Sequence, residues 1–219
     1  MDDDQSQGGQ ILDERVPSYY ERALENFFAR RWHEQIASMV TRLMPRGHES
    51  IRHLDIGCGD GVTIRMIKPE GEVMGVDLDG EMLRHAKARG INAIKADAQD
   101  LSMFEDNAFD LVTLLDTLEH IEHPTIALSE AFRVLKRRGF LIVTTPNASL
   151  MFRIIWYLWT RLGMGTYWET CPHVRTYSLW KPTHSGTSLV DLLRDVGFKP
   201  ERTMLTNWNM SAGVRAVKL

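Results

Sequence analysis

Apolar residues recur at Leu24, Phe28, Trp32, Ile36, Met39, Val40 and Leu43, three or four positions apart, which is the spacing of one buried helical face. The polar stretch Pro45-Arg46-Gly47-His48-Glu49-Ser50 breaks that period. Beyond it come short apolar runs at 53–56, 72–76, 92–95, 109–115 and 140–144, too short for helices. Residues 111–115 and 140–143 are apolar at nearly every position, as expected of parallel strands covered on both faces.

Amphipathic helices are expected between these runs. One starts at Pro124, a residue suited to the first helical position, and carries Leu128, Ala131, Phe132 and Leu135 on one face. Another is framed by a capping box from Ser188 to Asp191, presents Leu189, Leu192, Leu193 and Val196, and stops at Gly197. Alternating strands and helices predict a doubly wound α/β fold with right-handed crossovers. The end of the chain departs from that rhythm. Residues 202–207 and 213–218 are joined by too few residues for a helix, so they predict an antiparallel hairpin. Residues 147–187 fit neither period and contain Trp156, Trp159, Trp168 and His173, which reads as an inserted functional lid. The expected division is a mobile tail at 1–16, a helical cover at 17–48 and a main domain at 49–219.

The length of 219 residues suits one well-buried domain plus a small decoration. A net charge of -3 gives no global attraction to nucleic acid or an anionic membrane. Lys136-Arg137-Arg138 reads as a solvated turn, so a nucleic-acid partner is not expected. Cys58 and Cys171 make no disulfide framework, which points to a reducing compartment and a cytoplasmic setting. The N-terminal residues lack a basic segment followed by an apolar one, so no signal peptide is expected. The most apolar segment, 150–159, is about half the length of a spanning helix and contains Arg153. No transmembrane segment is expected.

The chemistry concentrates at Leu54-Asp55-Ile56-Gly57-Cys58-Gly59-Asp60-Gly61, between a strand and a helix. Glycines there allow a tight turn and let a ligand lie against the backbone. Asp77 ends the second strand, where a carboxylate can accept both hydroxyl protons of a ribose. Asp97 follows the third strand and would stand near an adenine edge. Each acid read alone is an ordinary turn or cap residue, but strand ends are the usual ligand positions in open α/β sheets. A pyrophosphate would call for donors and positive charge. Here Asp55, Asp77 and Asp97 ring the turn, the loop holds no lysine or arginine, and Val62 stands where a dehydrogenase fingerprint has its third glycine. A cationic sulfonium with an amino group fits better.

With LDIGCGDG at 54–61, GVDLDGEML at 75–83, KADAQDL at 95–101, FDLVTLLDTLEHIEHP at 109–124 and LKRRGFLIVTTPN at 135–147, the chain resembles the class I S-adenosylmethionine-dependent methyltransferases. The resemblance spans roughly residues 50 to 200. It implies a Rossmann-like sheet of seven strands ending in an antiparallel pair. It also implies Asp77 on the ribose, Asp97 and Ala98 near adenine with Leu78 against its face, and Asp55, Gly57, Cys58 and Gly59 beside the methionine moiety. Leu115, at the end of the fourth strand, completes that expected cofactor set.

The acceptor is expected beyond the fourth and fifth strands. If residues 116–120 are helical, Asp116, Glu119 and His120 share one face by i, i+3, i+4 spacing. With His173 they form the candidate catalytic group. Either these residues close a loop, or they hold a divalent metal. The second arrangement resembles plant-type small-RNA 2′-O-methyltransferases, which also carry Thr-Pro-Asn as at 145–147. Ubiquinone-pathway O-methyltransferases show a similar acidic run. The sequence departs from the RNA enzymes in having Asp116 where they have glutamate, so metal is not favoured. His173 or His120 is the expected general base, unless orientation alone suffices. The favoured acceptor is small or lipid-linked and methylated on oxygen. RNA 2′-O-methylation and a non-catalytic S-adenosylmethionine-binding subunit are the alternatives.

Overall fold

The computed structural model describes residues 27–45, 51–147, 149, 154, 157, 188–206 and 209–219. The tail at 1–16, most of the insertion at 147–187 and, with it, Trp156, Trp159, Cys171 and His173 lie outside the described residues.

The predicted helical stripe forms α1 (Phe27–Leu43). The short runs become β1 (Arg52–Ile56), β2 (Glu72–Asp77), β3 (Asn92–Lys95), β4 (Phe109–Leu115) and β5 (Leu135–Pro146). Between them lie α2 (Val62–Ile67), α3 (Gly80–Ala88) and α4 (Pro124–Val134). Then come α5 (Leu189–Val196), β6 (Phe198–Leu205) and β7 (Ser211–Lys218). One seven-stranded sheet runs in the order β3-β2-β1-β4-β5-β7-β6. β1 to β5 pair in parallel, and β7 runs antiparallel to both β5 and β6. The hairpin expected at the end of the chain is therefore present, with its second strand inserted next to β5.

Alternating side chains on β1, β4 and β5 feed two cores, because successive residues point to opposite faces. Leu54, Ile56, Val112, Leu114, Leu141 and Val143 meet the buried faces of α4 and α5. On the opposite face, Leu111 and Ile142 pack against Ile36, Met39, Val40 and Leu43 of α1. A third cluster, from Cys58 and Ile64 to Leu83 and Ala93, seats α2 and α3. Each fully buried leucine contributes about 1.5–3 kcal/mol of apolar transfer.

Element ends follow local chemistry. The Ser188 hydroxyl accepts from Asp191 N at 3.1 Å, and Gly197 closes α5 in the left-handed region, as the sequence predicted. Two expectations are corrected. Leu135 belongs to β5 and not to α4, because Phe109 already pairs with it. The register then jumps to Leu111 opposite Phe140, so the basic residues 136–138 bulge from the strand's start instead of preceding it. There Lys136 pairs with Asp110 at 2.8 Å. β6 likewise begins at Phe198, ahead of the expected 202, with an irregularity between Pro200 and Arg202 where proline removes a ladder donor.

Candidate cofactor and acceptor site

β2 and β3 lie to one side of β1, while β4 and β5 lie to the other. Open sheets bind ligands in the crevice at such a reversal, beyond the strands' carboxyl ends. The turn after β1 forms one wall. Gly57 N and Cys58 N both donate to Val76 O, at 2.7 and 3.0 Å, which fastens the turn to β2. Gly57 has φ +73, and a Cβ there would fall 2.2 Å from a methyl carbon of Thr117. The position thus needs glycine both for its backbone and for the approach of the segment after β4.

Asp77 is held from two sides: its Oδ2 accepts from Gly59 N at 2.8 Å and its Oδ1 from Asp79 N at 2.9 Å. Each carboxylate oxygen has two acceptor positions, so one on each remains for a ligand hydroxyl. Leu78 beside it is 59% exposed, an apolar surface open to a flat ring. Asp97 and Ala98 are half-buried after β3. Asp97 accepts from Gln99 N at 2.9 Å, an Asx turn that fixes its carboxylate without exhausting it. The segment is clamped from α4, where Arg133 donates to Leu101 O and Phe104 O and pairs with Glu130 and Asp106.

Asp55 is buried at the end of β1, and Thr113 donates to its Oδ1 at 2.6 Å. Burial pushes its carboxyl up to about 7, against the Thr113 bond and with help from the negative Asp77. Cys58 packs against Gly75, and burial together with Asp55, Asp77 and Asp60 drives its thiol far above the ordinary range. It stays protonated and unreactive at neutral pH. Asp60 is buried, accepts from Val62 N and pairs with Arg89 at 3.4 Å.

The residues after β4 do not share a face. Leu118–His120 is a single 3-10 turn, and Asp116 precedes it with φ +49. The expected i, i+3, i+4 face therefore does not form. Asp116 is gripped at the sheet's rim: Trp32 Nε1 donates to its Oδ2 at 3.1 Å and Thr144 Oγ1 to its Oδ1 at 2.9 Å. Burial raises its carboxyl above the usual range, and these two bonds oppose the rise. Glu119 is buried, and desolvation with the charge of Asp116 pushes its carboxyl well above the ordinary carboxylate range. His120 is exposed. Among the described residues, no three histidine, cysteine or acidic side chains group as metal ligands. His173 lies outside them, and Leu115 stands half-buried at the strand's end.

Three participants were not foreseen. Trp32 was read as core, yet its indole ties α1 to Asp116. His53 and Thr113 were read only as strand residues, although His53 and Asp55 are two apart on β1 and must share a face. That spacing was the available signal.

A doubly wound sheet with a glycine turn and ordered acids at its switch point is the setting in which open α/β proteins bind their ligands. The family described as "Methyltransferase domain" matches residues 54–143. The chain is 41% identical over 160 residues to the uncharacterized protein MJ1123 of Methanocaldococcus jannaschii, covering 73% of this chain and 68% of that protein. It is 35% identical over 118 residues to the ubiquinone/menaquinone biosynthesis C-methyltransferase UbiE of Rhizobium meliloti. That match covers 48% of this chain and 45% of the relative, so the chain spans less than half of that protein's length. In fold it is similar to a Thermotoga maritima S-adenosylmethionine-dependent methyltransferase, a possible histamine N-methyltransferase, with TM-score 0.65 and 24% identity. That likeness covers 90% of this chain and 99% of the other. The chain belongs to the class I S-adenosylmethionine-dependent methyltransferases. Among the described residues, no helix is long and apolar enough to cross a membrane.

Proposed function

We propose that the protein is an enzyme that passes the methyl group of S-adenosylmethionine to an oxygen of a small or lipid-linked acceptor. The observation that carries the reading is Asp77, held by two backbone donors with one acceptor position left on each oxygen. That arrangement suits the two hydroxyls of a ribose. Leu78, Asp97 and Ala98 would hold the adenine, and Gly57, Gly59 and Asp55 the methionine end. The acidic set fits a cation and disfavours a pyrophosphate. When bound, the cofactor supplies an electrophilic methyl carbon on its sulfonium.

The chain's own part is to orient the acceptor and take its proton. Asp116 stands at the end of β4 with a carboxyl raised by burial, the direction that favours accepting a hydroxyl proton. Trp32 and Thr144 fix its direction. The relative from Rhizobium meliloti is named for transfer to carbon, so carbon acceptors belong in the same trial.

The test is methyl-labelled S-adenosylmethionine offered with phenols, quinols, hydroxylated lipids and small RNA. Label should enter a hydroxylated small molecule or lipid. Asp77→Ala should lower kcat/KM about 100-fold or more through cofactor binding. Asp116→Asn should lower kcat about 10²- to 10⁴-fold with cofactor affinity kept. Tight cofactor binding without transfer to any acceptor would replace the enzyme with a binding subunit.

A further inference from the structure

Three polar side chains that the proposed reaction does not consume stand in line beneath the glycine turn. His53 Nε2 lies 2.8 Å from Thr113 Oγ1, and Thr113 Oγ1 lies 2.6 Å from Asp55 Oδ1. All three are buried. His53 Nδ1, at the far end, has no hydrogen-bond partner among the described residues.

Counting protons gives the line a direction. With Asp55 ionised, Thr113 donates to it and accepts from the Nε2–H of His53. Nδ1 then carries a bare lone pair, the cheaper group to leave unpaired in the interior. A proton placed on Asp55 Oδ1 would have to donate to Thr113. Thr113 must then donate to His53 Nε2, which moves the ring proton to Nδ1, where nothing accepts it. An unpaired buried N–H is costly. The alternative, with His53 still donating, leaves the Thr113 proton without an acceptor. A proton on Oδ1 thus strands a donor, and at either oxygen protonation weakens the Thr113 bond, because a hydroxyl bonds an ionised carboxylate more strongly than a neutral carboxyl.

We propose that His53 and Thr113 are positioning residues for cofactor binding: a buried relay that holds Asp55 in its ionised, accepting form against the desolvation that would neutralise it. The proposal rests on the cofactor reading above. Among the groups around the carboxyl, Asp77 works against ionisation. Asp77 faces it from β2 with like charge, and Cys58 and Asp60 line the turn. Asp60 is in turn set against two cationic-capable groups, Arg89 at 3.4 Å and His33 of α1, whose pKa burial lowers. On β1 itself, His53 is held neutral because burial pushes it down to about 4.

Two measurements decide it. Nitrogen chemical shifts of the His53 ring in the unmodified protein should show the proton on Nε2 and a bare Nδ1; a proton on Nδ1 overturns the relay. Calorimetry with adenosylhomocysteine from pH 5.5 to 8.5 should show affinity rising through about pH 7. Thr113→Val should move that midpoint up by about one unit or more and weaken binding about tenfold at pH 7. His53→Leu should act in the same direction but less, and His53→Gln, which keeps a donor, should restore wild-type behaviour. Unmoved midpoints in folded Thr113→Val and His53→Leu overturn the relay while the cofactor site stands. Failure of the wild type to bind removes the cofactor reading instead, and the ring tautomer still judges the relay.

Discussion

At the scale of single residues, Asp55 sets folding against the cofactor contact proposed for it. Its carboxyl is pushed from 3.8 up to about 7, mainly by burial. A folded-state pKa above the unfolded value means that its contribution to stability is complete below about pH 4 and is lost as pH rises through about 7. At pH 8 the buried charge costs about 4 kcal/mol relative to an unburied carboxylate. Asp55→Asn should therefore raise the thermal midpoint at pH 8 and less than half as much at pH 5, while cofactor affinity falls at least tenfold. Thermal scans at both pH values, with and without adenosylhomocysteine, check this; an equal shift at both would contradict it. Of this residue's setting, the sequence revealed the acid and the turn that follows it. Its partner Thr113 was hidden because contact between β1 and β4 depends on a register between segments 58 residues apart.

At the scale of elements, the loops that carry the acids are held by neighbours far away in sequence. Arg133 on α4 braces the stretch from Leu101 to Asp106 through two carbonyls and the Asp106 carboxylate, with Glu130 of the same helix holding the guanidinium in place. Arg133→Ala should lower stability by about 2 kcal/mol and weaken cofactor binding several-fold by loosening Asp97 and Ala98. Denaturant titration and hydrogen exchange at 99–106 measure the two effects; unchanged exchange there would show that the brace is dispensable. α1 is anchored similarly. Arg202 and Arg215 donate to Arg42 O and Leu43 O at its last turn, where carbonyls lack helical partners, and Trp32 reaches Asp116 across the rim. The periodicity of α1 and the cap of α5 were legible because both are local. The start of β5 was not, because the basic residues before Phe140 look like a turn and only pairing with Phe109 makes Leu135 a strand residue. The expected helical face after β4 failed for a related reason. Asp116 enters the left-handed region, bound at its N–H and its carboxylate by Thr144 of β5, and that contact is invisible to helical spacing.

At the scale of the whole molecule, the parallel strands, the reversal between β1 and β4 and the antiparallel end follow from run length, alternation and connection length. These features place four acids at one rim: Asp55, Asp77, Asp97 and Asp116. That choice of charge is the ground for proposing a sulfonium site in place of a dinucleotide site on the same fold. The most direct test is calorimetry of the purified protein at pH 7.5, titrated with S-adenosylmethionine, adenosylhomocysteine and NAD in parallel. One-to-one binding of the first two, abolished by Asp77→Ala, with no heat from NAD, is the expected result. Binding of NAD together with indifference to adenosylhomocysteine would contradict the assignment of this rim to a positively charged nucleoside.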